Sequence, residues 1–340
     1  MEDRARGLAR HLPHGWHARF AFPAGFWRAL TMARGADVLW LLSQHPALVL
    51  AARLSGKPFV VDTGDLIAES LRTEGRGAAA VAVGGWLERF SVRAADAVVV
   101  RGSAHVPIVL GWRARKVVLI PDGVEVDTFA RREPRDTRSQ LKVGEAVTVG
   151  VIATISVDAG SRLPSPGWDV VETVARLRDV NLVGVIVGDG PGLLPLQRLA
   201  QRLGVADRMR WVGRVPPDQL PRWMAAIDIF LHTALNNPMS AVRTTGKLPL
   251  LLAAGSAAVV SKVGEASRVL EGTGMLLDFD STPEDYAARL AERVRDIVAR
   301  GELMKWREAG PAIARREFDY QVLGGRAAAL LSAIAVRGAA

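Results

Sequence analysis

Asn181-Leu182-Val183-Gly184-Val185-Ile186-Val187-Gly188-Asp189-Gly190-Pro191-Gly192 is the stretch on which the fold turns. From Leu182 to Val187 there is no polar side chain. A strand with one wet face alternates polar and apolar residues, whereas a strand covered by helices on both faces does not, so 182–187 reads as a buried parallel strand. Gly188, Asp189 and Gly190 then make a turn in which the glycines permit close backbone approach to a ligand. The same residues also read as a plain strand-to-helix turn. They are not the dinucleotide fingerprint, whose third glycine should open the helix.

The pattern repeats outward from there. Strands are expected at 17–22, 37–42, 58–62, 97–100 and 117–120, then at 147–152, 182–187, 210–212, 229–232, 257–260 and 274–277. Helical stretches separate most of them, which predicts an α/β fold with right-handed crossovers and doubly wound parallel sheets. The polar run Arg131-Arg132-Glu133-Pro134-Arg135-Asp136 marks a boundary between the two series. Expected divisions are a first domain at 1–143, a second at 144–318 and a C-terminal helix at 319–340 that returns to the first. The helices 283–299, 302–316 (with a break at Gly310-Pro311) and 320–336 have no strands between them and are expected to brace two domains facing a cleft.

Composition narrows the class. The 340 residues are 49% apolar and 23% charged, an ordinary globular mixture. Cysteine is absent, which removes thiolate nucleophiles, cysteine-based zinc sites and disulfides. The net charge is +9, and 38 arginines stand against 6 lysines. An anionic partner is compatible with that charge but not identified by it. No RNA-binding motif or stripe of arginine with aromatic residues is evident, so no nucleic-acid partner is expected. The start, Met1-Glu2-Asp3-Arg4, lacks an apolar signal core. The most apolar stretch, 38–54, is interrupted by Ser43, Gln44, His45, Pro46 and Arg53, and a bilayer span needs ~20 mostly apolar residues. A cytoplasmic protein is expected, with peripheral contact at the inner membrane face compatible.

Ligands in open parallel sheets bind beyond the carboxyl ends of the strands. The strongest signal there is Arg243-Thr244-Thr245-Gly246-Lys247, ahead of an apolar helix. Two cations, two hydroxyls and the N–H groups of a helix start suit a phosphate or diphosphate. The bland reading is a capped helix with two solvated cations, and the glycine that would make it a Walker A loop is missing. Asp62-Thr63-Gly64-Asp65 ends a strand and could accept hydrogen bonds from hydroxyls, or Asp65 could cap a helix. Arg101-Gly102-Ser103-Ala104-His105 leaves another strand tip, with Ser103 placed to cap and His105 placed to face the cleft. Pro121-Asp122-Gly123-Val124 reads as a turn. Asp278-Phe279-Asp280 has metal-binding spacing, but Thr282 followed by Pro283 reads as a helix cap instead. His11, His14 and His17 lack an acidic partner, so no metal site is expected.

The order of these pieces resembles the glycogen-synthase-like group of GT-B glycosyltransferases (glycosyl transferases group 1). Ala94 to Val100, Val118 to Val124 and Phe129 resemble its first half. Val187 to Pro191, Trp211 to Val215, Leu220 to Trp223, Ala226 to Leu231, Gly246-Lys247-Leu248 with Ala253-Ala254-Gly255, and Val263-Gly264-Glu265 resemble its second. The resemblance implies transfer of a sugar from a nucleotide-sugar to a glycan, lipid-linked or small-molecule acceptor, with retention, without a metal and without a bound cofactor. It implies donor contacts at Arg243, Thr244, Thr245, Gly246, Lys247, Gly188, Asp189, Gly190 and Glu265. It implies acceptor-side placement of Asp62, Asp65, Arg101 and His105.

Three departures accompany it. Two glutamates common in the family fall at Val242 and Leu250, and a lysine expected before Gly167-Trp168 is Pro166, for which Arg162 is the nearest substitute. The family's opening strand and glycine-rich loop would precede what looks like its first helix, 5–11, which implies a start upstream of Met1 or a shortened first domain. These departures motivate an alternative, a non-catalytic relative that binds a sugar-nucleotide or glycan.

Overall fold

The computed structural model describes residues 2–22, 25–129, 135–157, 165–279 and 282–338. Its strands are β1 (Leu39–Leu41), β2 (Phe59–Thr63), β3 (Ala97–Val100), β4 (Val117–Leu119), β5 (Val147–Ile152), β6 (Leu182–Val187), β7 (Met209–Gly213), β8 (Ile229–His232), β9 (Ala257–Ser261) and β10 (Leu276–Leu277). They form two sheets, ordered β1-β2-β3-β4 and β10-β9-β8-β5-β6-β7, and every neighbouring pair is parallel. The second order reverses direction around β5 and β8, the mark of a doubly wound sheet.

The chain divides into two compact units. One comprises Met1–Gly123, Asn237–Thr244 and Phe318–Ala340, and the other Val124–Asn236 and Thr245–Glu317. Unit 1 thus ends before the polar run at 131–136. The helix Arg135–Leu141 is held in unit 2, where Arg138 donates to Asp228 at 3.0 Å and to the carbonyls of Gly144 and Ala146. The helix Pro283–Ala299 opens as the sequence predicts, with Thr282 Oγ1 accepting from the Asp285 N–H. Leu303–Glu317 runs unbroken through Pro311.

Why a strand should be apolar on both faces is visible in unit 1. Ala97 and Val99 of β3 pack with Val60, Ile120 and, from the helix Tyr320–Gly338, Leu323, Ala327 and Leu330. Val98 and Val100 point the other way, onto Val49, Ala52, Val92 and Val109. Side chains alternate along a strand, so two helical layers need two apolar faces.

The expected strand at 17–22 does not form. Residues 17–22 are exposed and carry no strand assignment, and β1 is hydrogen-bonded to β2 alone. A strand exists only through its neighbours, and this segment has none among the described residues.

A buried ion cluster closes the carboxyl edge of the unit 1 sheet. Arg4, from the helix Glu2–Arg10, donates through Nε to Asp62 at 2.9 Å and through its terminal nitrogens to the carbonyls of Ile120 and Pro121. Arg101 donates to the other Asp62 oxygen at 3.2 Å, and Trp40 Nε1 to the first at 3.1 Å. Asp122 lies 3.6 Å from Arg4 and 3.7 Å from Arg101. Burial pushes the Asp62 carboxyl up, but the two guanidinium charges and the hydrogen bonds from Arg4 and Trp40 outweigh it and hold it below the usual carboxylate range. The stability this gives is present above the ordinary carboxylate pKa and is lost as pH falls through the lower folded value. Arg4→Met should therefore cost about 3 kcal/mol at neutral pH, the usual loss when one partner of a buried pair is removed. Urea unfolding at pH 7 and pH 3 should show that deficit narrowing as Asp62 protonates.

Candidate functional site

Unit 2 gathers polar side chains at the carboxyl edge of its sheet. Asp169 opens the helix Trp168–Arg176, His232 ends β8 and is followed by Thr233, Ser261 ends β9, and Lys247 opens the helix Lys247–Ala253. Gly167 precedes the first of these helices at φ 97, a conformation that glycine adopts without strain.

Asp169 is buried. Its Oδ2 accepts from Thr233 Oγ1 at 2.6 Å and its Oδ1 from the Val170 N–H at 3.0 Å. Burial raises its pKa, opposed by those hydrogen bonds and by the charge of Lys247. Ser261 Oγ accepts from the Ala234 N–H at 2.9 Å and lies 3.1 Å from the Tyr286 hydroxyl, which fixes the loop after β8. Lys247 is exposed, yet the protein around it displaces enough water to lower its pKa below the ordinary lysine value, with Asp169 pulling the other way. His232 shares a hydrogen bond of 2.7 Å with Thr245 Oγ1. Burial, helped by the Lys247 charge, depresses the His232 pKa to about 3, so the ring is neutral. Beside it, therefore, the charge is that of the Lys247 ammonium, and the imidazole orients a hydroxyl.

Beside Lys247 and His232 opens an apolar recess lined by Ile152, Leu220, Met224, Leu250 and Leu251. Leu250, one of the two positions where a glutamate is expected, faces this recess. Val242, the other, is buried in unit 1, where its carbonyl lies where a Cβ on Gly102 would stand.

The five-residue motif is split by the fold. Thr245, Gly246 and Lys247 belong to unit 2, while Arg243 and Thr244 belong to unit 1. Within unit 1 Arg243 pairs with Asp65, and Thr244 Oγ1 donates to the Arg101 carbonyl. Gly188 and Gly190 have φ of 139 and 147, and a Cβ on either would strike the carbonyl oxygen of Ala153 or Ile155. Their packing thus accounts for the glycines without a ligand. The Asp189 carboxylate accepts from the Gly190 N–H. Glu265 is fully buried and pairs with Arg268, which also reaches Glu317 at 2.8 Å.

Two sequence readings on the acceptor side are corrected. His105 does not face outward: it is buried at the start of the helix His105–Gly111, edge-on to Trp112, and burial depresses its pKa to about 4. Asp65 does not cap a helix. The cap of Ile67–Thr73 comes from the buried Glu88, whose Oε1 accepts from the Ile67 N–H at 2.9 Å. At the helix beginning at His105, the Gly102 and Ser103 carbonyls accept from the His105 and Val106 N–H groups. Asp62 is engaged by both Arg4 and Arg101. Arg162 and Asp280 lie outside the described residues. Among the described residues no three His, Asp or Glu side chains are grouped so as to hold a metal ion.

Sequence reasoning missed Asp169, His232, Thr233 and Arg4. Position was the available signal for the first three, since each sits just beyond or at the end of a strand or at a helix start on the carboxyl edge. Arg4 carried no signal, being one arginine among several in a charged start.

Residues 168–296 match the family described as glycosyl transferases group 1. The chain is 29% identical over 215 residues to the GDP-mannose-dependent alpha-(1-6)-phosphatidylinositol monomannoside mannosyltransferase of Mycobacterium tuberculosis, covering 60% of this chain and 51% of that one. It is 25% identical over 223 residues to the 2-deoxystreptamine glucosyltransferase of Streptomyces kanamyceticus, covering 59% and 52%. The chain spans about half the length of these curated relatives. Among solved structures, Anabaena HepE in complex with UDP superposes with a TM-score of 0.72 at 19% identity, over 91% of this chain and 82% of that one. Sucrose-phosphate synthase from Thermosynechococcus elongatus superposes at 0.67 with 16% identity, over 94% and 81%. Two parallel sheets and their strand orders agree with these superpositions: the fold is that of the GT-B glycosyltransferases, and residues 168–296 are similar to the glycosyl transferases group 1 family.

Proposed function

We propose that the chain transfers a sugar from a nucleotide-sugar to an acceptor, with retention of configuration and without a metal ion. The observation that carries this reading is Lys247, an ammonium on the carboxyl edge of the unit 2 sheet with Thr245, Gly246 and a neutral His232 around it. The names of the relatives support it, since one uses GDP-mannose and a neighbour of the same fold was crystallised with UDP.

In this reading the bond between the sugar C1 and the donor phosphate oxygen breaks, and the acceptor hydroxyl oxygen forms a bond to C1 on the same face. Negative charge grows on the departing diphosphate. Lys247 and the Thr245 hydroxyl stabilise it, and fixed charges and donors need no reorganisation as the charge develops. The acceptor proton passes to the departing phosphate oxygen. A lipid-linked acceptor, presented at a membrane the protein touches peripherally, fits the phosphatidylinositol mannoside in the name of the mycobacterial relative. Among the described residues no helix is long and apolar enough to cross a membrane.

The second reading is a relative that binds a sugar-nucleotide or glycan without transferring it. The apolar Leu250 beside the recess favours it, because a leucine cannot accept a hydrogen bond from a sugar or ribose hydroxyl.

A thermal-shift screen over nucleoside diphosphates and their sugars identifies the donor, since a ligand at a hundred times its Kd stabilises by about 2.7 kcal/mol. Turnover with the donor so found decides between transfer and binding. Lys247→Ala should abolish the shift and lower turnover by about 10²–10³-fold, the scale for removing one group that stabilises developing charge. Full turnover in that variant overturns the assignment. The neutral imidazole is checked separately. Between pH 5 and 7.5 the His232 ring resonances should not move, and a His232→Asn spectrum assigns them. Because the folded pKa lies below the unfolded one, the contribution of His232 is complete above the ordinary histidine value of about 6.5 and is lost as pH falls.

A further inference from the structure

The parallel strands of unit 1 end at one edge of their sheet, where Asp62 and Arg101 lie. The opposite, amino edge holds a pocket of about 360 Å³. The turn between the helix Pro46–Leu54 and β2 forms one wall, the residues just ahead of β3 and β4 form a second, and the helix Tyr320–Gly338 closes the third through Ala333 and Ile334. The five residues of β2 separate this edge from the carboxyl edge, about 16 Å at the rise of an extended strand. Four cations line the pocket: Arg53, Lys57, Arg115 and Lys116. The one acid among the lining residues, Asp96, is already engaged. Its Oδ2 accepts from the Phe59 N–H at 3.0 Å, and its Oδ1 pairs with Arg115 at 3.1 Å. Arg53, Lys57 and Lys116 enter no ion pair among the described residues.

Like charges converging on one concavity repel, and the repulsion grows where protein displaces water. Arg53 has a local reason to be there, since it lies in the last turn of its helix, at the negative end of the macrodipole. Arg115 is matched by Asp96. No carboxylate answers Lys57 and Lys116, which stand just ahead of β2 and β4. Shape then selects the class of ligand. A polynucleotide is met by cations laid out along a stripe, whereas these face a common hollow. The volume lies at the low end of the ~300–1,000 Å³ range of small-molecule sites. Pro58 and Ala333 give it an apolar side for the carbon of a ligand. Four cations against one carboxylate suit a compact group with about two negative charges or more, as a phosphate ester carries. We propose that the pocket at the amino edge of the unit 1 sheet binds a small phosphorylated molecule, its phosphate held by Lys57, Lys116 and Arg53. The proposal goes beyond the sugar-transfer reading and stands without it.

Calorimetric titration of the full chain with inorganic pyrophosphate tests it, in the Lys247→Ala variant so that the edge of unit 2 does not contribute. Saturable binding at one site is expected at physiological ionic strength, where attraction between exposed charges is screened beyond about 8 Å. Lys57→Gln and Lys116→Gln should each weaken it about tenfold, the scale for one hydrogen bond to a charged group. Ala333→Phe should weaken it as well. That substitution fills the pocket without altering charge, so its effect separates a shaped site from loose attraction of ions. None of the three side chains is buried, and unchanged circular-dichroism melts confirm folding of the variants. Absence of saturable binding overturns the proposal, as does binding that Lys57→Gln and Lys116→Gln leave unchanged. Binding lowered by the two lysine substitutions but not by Ala333→Phe overturns it in favour of unshaped ion attraction. Binding of RNA or of phosphatidylglycerol vesicles that Lys57→Gln abolishes, with none of pyrophosphate, overturns it in favour of a macromolecular or lipid anion. Failure of the transfer assignment at Lys247 leaves these titrations as they are, so the two are judged separately.

Discussion

An ionised group inside a protein must be matched or discharged, and both units of this chain are arranged around that requirement. In unit 1 the buried Asp62 carboxylate is matched by Arg4 and Arg101 and by the indole of Trp40. That match ties the helix Glu2–Arg10 to the ends of β2, β3 and the turn after β4. In unit 2 the solution differs from group to group. Burial raises the Asp169 carboxyl pKa and its hydrogen bonds and Lys247 only partly oppose this, whereas His232 is kept neutral by burial and then by the Lys247 charge. The result is an ammonium, Lys247, at the carboxyl edge of a sheet, with a neutral ring holding the adjacent hydroxyl.

Much of the fold was legible because burial on both faces leaves a compositional trace. Leu182–Val187 and Ala97–Val100 carry no polar residue, and both form central parallel strands. The segment 17–22 misled because alternation and β-propensity describe what a strand looks like and not whether it has a neighbour to bond. The boundary misled for a related reason. A polar, proline-containing run is a good place for a chain to cross water, but the helix Arg135–Leu141 is assigned by Arg138 reaching Asp228, ninety positions on, which no local window contains. Pro311 did not break its helix. A helix that packs as Leu303–Glu317 does, with Gly310 against the Leu252 carbonyl, gains enough from burial to absorb one missing N–H.

The site was legible in outline and not in its partners. The rule that ligands meet the carboxyl ends of parallel strands led to Lys247 and Thr245. It could not show that the preceding two residues of the same motif belong to the other unit, where Arg243 is occupied by Asp65 and Thr244 by a carbonyl. Nor could it show that Asp169, 78 positions before Lys247, opposes the lowering of that lysine's pKa by burial. Pairings over such distances are decided by the packing of whole layers. Residue type and spacing give the candidates; which of them is already satisfied by its neighbours is a tertiary fact.

The two missing glutamates gain a physical meaning from where their positions lie. Val242 is buried with its carbonyl against Gly102, and Leu250 faces a recess formed with Leu220 and Met224. A carboxylate at the buried position 242 would need a partner to remain ionised, whereas one at the half-buried position 250 would share its recess with Lys247 and His232. Leu250 thus adds an aliphatic side chain to a recess whose polar groups are Lys247 and His232. A donor seated here would be held chiefly at its phosphates, by Lys247 and Thr245, and would meet aliphatic carbon where a hydroxyl-binding carboxylate is common in the family. Such an arrangement favours the leaving group over the sugar. On the proposed reading, it would select for charge at the diphosphate and leave discrimination among sugars to shape and to groups elsewhere.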